Sequence, residues 1–164
     1  MILGLFSLWF YTVMHVVISL AGIAAGFVVM FGMLNGRRLD GWTFWFLFFT
    51  LLTSITGYGF PFDRVLPSHI VGALSLVALL IAILARYAFN HAGAWRWLYV
   101  VAALVAQWFN VFVLVVQGFQ KVPALQALAP TQTEPPFLIA QTVVMVLFII
   151  TGIAALRKFH PPEL

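Results

Sequence analysis

The sequence predicts an all-α integral membrane protein, a bundle of five transmembrane helices forming a single domain over residues 1–164, with its N-terminus external and its C-terminus cytoplasmic. Three observations predict it. The chain is 64% hydrophobic and only 7% charged, against the roughly 25% charged share of ordinary globular domains. Its apolar residues fall into five long runs separated by turn-forming or charged residues. Its eight Lys and Arg residues lie mostly in alternate loops, the asymmetry that orients membrane proteins.

The first run, 14–34, carries no formal charge except the one His15 can take up. At about 1.5 Å of rise per residue it covers the ~30 Å of bilayer hydrocarbon. His15, Ser19, Gly22 and Gly26 recur along it at helical spacing and share a face. The aromatic cluster Phe6, Trp9, Phe10 and Tyr11 ahead of it suits an interfacial belt. No basic residue precedes the run, so it reads as a retained span rather than a secretory signal. Asn35-Gly36 then marks a turn, and Arg37-Arg38 a cytoplasmic anchor.

The second run, 42–58, is short and holds Thr50, Thr53, Ser54 and Thr56, hydroxyls that bond the preceding turn or a neighbouring helix. Two glycines and two prolines between Gly57 and Pro67 break the helix into an interfacial loop. Ser68 is the expected N-cap of the third run, 69–85, which Arg86 and Tyr87 close. A loop at 89–93 leads through Trp95-Arg96-Trp97 to the fourth run, 98–117. Residues 118–136, with four prolines, form an external loop with one short helix expected near 124–128. The fifth run, 137–156, ends at Arg157-Lys158.

Five spans place Arg37, Arg38, Arg86, Arg96, Arg157 and Lys158 on one side and only Arg64 and Lys121 on the other, which makes the first side cytoplasmic and points to a bacterial inner membrane. Four spans, with the second run merged or dropped, would set Arg37 and Arg38 against Arg86 across the membrane. No internal repeat supports an inverted-repeat transporter.

The absence of cysteine excludes thiolate ligation, iron–sulfur clusters and c-type haem. No phosphate-binding loop, serine-nucleophile motif or His-Glu-x-x-His pattern is present, which argues against a hydrolase or an ATP-driven pump. A chain this size leaves no room for a nucleic-acid-binding module, so the expected partners are the bilayer and another membrane protein or further copies of itself.

Three groups of polar residues carry the functional expectations, because polar side chains within a membrane are costly to keep. His15 and His69 sit at matching depth near the external boundary on spans that run in the same direction. Two such imidazoles are what a b-type haem or a transition metal needs, with Gly22, Gly26 and Gly72 permitting close approach and Asp63 a further acidic partner. Hydrogen bonding to neighbouring carbonyls is the plainer alternative. Gln107, Asn110 and Gln117, with Gln141 and Thr142 at a depth to join them, form a stripe that either lines a solute path or ties helices together. In the external loop, Thr133 as N-cap, Glu134 near the positive end of the helix dipole and proline in the first turn read as a helix start, with a rigid recognition surface as the alternative. His91 and His160 lack nearby acidic partners in the sequence and receive no role. Of these expectations the sequence favours a non-enzymatic accessory or structural bundle acting through membrane or periplasmic partners, with a haem- or metal-binding redox subunit and a small-solute transport or channel subunit as alternatives.

Overall fold

The computed structural model describes residues 7–61 and 67–160. Phe6, Asp63 and Arg64, to which the sequence assigned parts in a belt, a ligand set and a loop, lie outside the described residues. Among these residues all the regular elements are helical: α1 Leu8–Leu34, α2 Asp40–Gly57, α3 Pro67–Ile83, α4 Ala94–Lys121, α5 Pro123–Leu128 and α6 Pro135–Lys158. A π-helical turn, Leu84–Ala88, continues α3.

Local chemistry sets these ends. Ser7 caps α1, its hydroxyl accepting the Phe10 N–H at 3.2 Å. At the other end Gly36 takes φ 65°, and the Gly36 and Arg37 N–H groups return to the Met33 and Gly32 carbonyls at 3.1 and 2.9 Å. This is the Schellman arrangement, which requires a left-handed residue just beyond the cap, and it is the turn that Asn35-Gly36 predicts. The short helix expected near 124–128 is α5, started by Pro123. Two caps differ from expectation. Ser68 is the second residue of α3 rather than its cap, and Glu134 rather than Thr133 occupies the N-cap position of α6, because Pro135 and Pro136 fill the first two helical positions.

Among the described residues, four helices are long and apolar enough to cross a membrane: α1, α3 with its π turn, α4 and α6. α2 is not among them; its 18 residues include Asp40, Thr43, Thr50, Thr53, Ser54 and Thr56.

Helices α1 to α4 pack in a ring, each on the next, with α1 closing on α4 and α6 lying in the outer groove between α4 and α1. α1 and α3 are therefore diagonal, both packed on α2. Small residues let the helices approach in the half of the bundle that carries the arginines: Ala82, Ala85, Ala103, Ala106 and Ala155 are sealed from solvent beside Met33, Phe46, Leu79, Tyr99 and Phe159. Within lipid, where apolar side chains gain nothing by leaving one solvent for another, such close van der Waals approach and interhelical hydrogen bonds hold helices together.

Candidate functional site

The polar residues separate into an outer network, a set of interhelical amide ties, and a buried charged cluster at the arginine-rich end.

The outer network joins α1 to the last turn of α2. His15 Nδ1 lies 2.8 Å from Thr56 Oγ1, and Tyr11 Oη donates to the Thr56 carbonyl at 2.7 Å. The Phe60 ring presses edge-on against both His15 and Tyr11. Further in, Thr53 Oγ1 donates to Ser19 Oγ at 3.3 Å, and Ser54 donates to Ser75 of α3 at 3.2 Å. His69 is placed differently. Its ring stacks on Tyr58 with centroids 5.4 Å apart, and Tyr58 Oη donates to the His69 carbonyl at 2.7 Å. Thr56 and Tyr58 are two residues apart and so project from nearly opposite sides of a helical backbone. His15 thus meets the last turn of α2 through Thr56, and His69 meets the residue just beyond it through Tyr58. No group of three or more His, Asp or Glu side chains able to hold a metal ion occurs among the described residues.

The amide stripe is divided among three neighbours. Gln107, 1% exposed, donates through Nε2 to the Ile23 carbonyl of α1 at 2.9 Å. Asn110 Nδ2 donates to Thr50 Oγ1 of α2 at 3.0 Å, and Gln141 of α6 donates to the Phe112 carbonyl of α4 at 3.1 Å. The gap among Gly26, Met30, Phe46 and Gln107 has no room for a water molecule. Gln117 is exposed, near the end of α4. In the loop between α5 and α6, Glu134 accepts from Thr131 Oγ1 at 2.8 Å and from the Thr131 and Thr133 N–H groups at 3.1 Å. Desolvation works to raise its pKa, but these bonds prevail and hold the carboxyl below its ordinary range.

The third group escaped the sequence reading. Arg86, in the π turn, is 3% exposed and pairs through Nη2 with Asp40 Oδ1, which also accepts from Arg38 Nε at 2.8 Å. The π turn widens the end of α3, the kind of local irregularity found often at functional positions. Arg86 Nε and Nη1 are buried and have no hydrogen-bond partner. Close by, His91 is 5% exposed with both ring nitrogens buried and unpartnered. Its ring lies edge-on to Tyr99, centroids 4.6 Å apart, and to Phe159 at 5.8 Å. Burial foremost, then the charges of Arg86 and Arg38, lowers its pKa to about 4, with Asp40 opposing.

The backbone puts His91 there. Asn90 and His91 have φ of 45° and 61°, and Gly93 has φ of 52°, so the loop turns through left-handed conformations that non-glycine residues seldom adopt. The His91 N–H donates to the Ala85 carbonyl at 2.9 Å, folding the loop back beneath the π turn. The sequence signal available was modest: Arg86 at the end of an apolar run, five residues before a histidine in a loop closed by glycine. Nothing in that spacing announces that Asp40, Tyr99 and Phe159 converge on it from three other parts of the chain. No protein-family model, no curated protein and no solved structure matches this chain, so its chemistry is read from these residues alone.

Proposed function

We propose that the chain is a five-span bundle of a bacterial inner membrane, N-terminus outside and C-terminus in the cytoplasm, acting as a non-enzymatic accessory subunit for another membrane protein. The observation that carries the reading is α6. This 24-residue helix buries only Phe137 and Ala155, while Leu138, Ile139, Val143, Val146, Leu147, Ile150 and Ile153 all face outward. The interior amides serve as ties between helices in this reading, and the outward face of α6 is the apolar surface offered to a partner. α2 counts as the fifth span because it packs side by side with helices of crossing length and turns Trp42, Phe44, Trp45 and Phe48 outward, the aromatic surface suited to lipid and its interface.

Photo-crosslinking tests the proposal. A photoreactive residue at Ile139, Val146 or Ile150 should give a protein adduct of defined mass in native membranes, and mild detergent should release the chain together with that protein. Adducts to lipid alone, from a chain that purifies as an isolated monomer, would overturn it.

A further inference from the structure

Among the buried polar side chains of the described residues, the imidazole of His91 is the one held by a strained loop rather than by a helix. It is sealed by Tyr99 of α4 and by Phe159 just beyond α6, and its own N–H is tied to Ala85. The charged and titratable groups around it are Arg86 from the π turn, Arg38 ahead of α2, Asp40 in the first turn of α2, and Tyr99. Two of these are permanent cations and one is a carboxylate, which both cations already engage. A third positive charge, on the ring, would therefore arise near these guanidinium groups, out of water and without an acceptor.

From this geometry we propose that loop 89–93 is an acid-released clasp: protonation of His91 drives the ring out of its seat between Tyr99 and Phe159, opening the arginine-rich end of the bundle. Neutral, the imidazole is an aromatic plug whose burial offsets the left-handed strain at Asn90 and His91. Charged, it gains hydration only by leaving, and the loop loses that strain as it goes. The same movement uncovers Arg86 Nε and Nη1, two donors with no partner in the closed form, so the open form presents a guanidinium that the closed form hides. The low pKa of the seated ring is the matching thermodynamic statement: the proton prefers the form in which the ring is out.

The chain contains no cysteine, so paired spin labels can be placed without background. Labels at Ala92→Cys and Arg157→Cys, both at exposed positions, report the distance between the loop and the end of α6 by pulsed electron resonance in nanodiscs. The expected result is a single short distance at neutral pH that gives way to a longer, broader distribution with a midpoint of about pH 5, between the seated and free values of the imidazole. His91→Phe, which keeps an aromatic plug that cannot be protonated, should hold the short distance throughout. A wild-type distribution unchanged down to pH 4, or an equal change in His91→Phe, overturns the proposal. Should His91→Phe fail to fold, the ring signals of isotope-labelled wild-type histidines decide. A His91 signal that titrates together with the distance change supports the clasp, and one that titrates near 6.5 with no change in distance refutes it.

Discussion

Gly26 and Gln107 occupy one space: a Cβ built on residue 26 would overlap Oε1, Cδ and Nε2 of the Gln107 carboxamide. The glycine is what allows a glutamine to lie between α1 and α4 and reach the Ile23 carbonyl. Gly26→Ala should therefore push the amide aside and lower stability in detergent by about 1–3 kcal/mol, the usual range for overpacking. Gln107→Ala alone should cost less, on the order of 0.6 kcal/mol for one interhelical bond in a membrane. The double variant should recover much of the loss from Gly26→Ala, and simple additivity in thermal unfolding would count against this packing.

His91 predicts a dependence on pH with a definite sign. Its pKa in the folded chain, about 4, is below the ordinary histidine value of 6.5, so over that interval the unfolded chain binds a proton that the folded chain refuses. Stability should be level above pH 6.5, fall as the pH drops below that value, and level off again once the ring has left its seat. The loss is bounded at about 3 kcal/mol by the size of the shift. Melting in detergent across this range, compared with His91→Phe, isolates the contribution; a variant that loses as much as the wild type would assign the acid sensitivity to another group.

Asp40 holds two arginines that differ in burial. The Arg86 side chain is 3% exposed and that of Arg38 17%, so Asp40→Asn deprives a buried guanidinium of its carboxylate. We expect a loss of about 1–3 kcal/mol, as for other buried groups left without a partner. Arg38→Ala should cost less than about 1 kcal/mol, because its partner Asp40 is largely open to water. Chemical or thermal denaturation of the two variants that gave the reverse order would contradict the placement of Arg86.

Orientation is tested by reporter fusions. Fusions after residue 40, after residue 92 and at the C-terminus should report cytoplasm, and those after residues 64 and 126 the outside. A fusion after residue 92 that reports outside while the one after residue 40 reports cytoplasm would mean that α2 does not cross the membrane.

How much of this was legible in the sequence depended on whether the information was local. Apolar runs bounded by turn residues announce helices, and Asn35-Gly36 and Pro123 announce their own turn and helix start, because each acts through its neighbours. The inward placement of Gln107 and Asn110 could be read from the cost of exposing an amide to lipid. Their division between Ile23 and Thr50 could not, since it follows from how three helices are arranged around α4. The pairing of His15 with Thr56 and of His69 with Tyr58 likewise rests on the diagonal placement of α1 and α3. His91 was hidden most completely. Its burial requires left-handed backbone at two non-glycine residues and the return of Phe159 from the far end of the chain, and a pattern along the sequence records neither.

α6 is tied to α4 near both ends, by Gln141 on the Phe112 carbonyl and by Arg96, whose Nη1 lies 3.0 Å from the Leu156 carbonyl and 2.8 Å from that of Phe159. Between these ties only Ala155 is fully buried, with Phe148 and Leu156 packed against the core beside it. Two polar fasteners roughly four helical turns apart add to that packing in fixing its azimuth. Gln141 and Arg96 thereby share in setting which side of α6 looks outward, although neither lies on that side, and altering either should loosen the hold on which apolar residues the bundle shows to its surroundings.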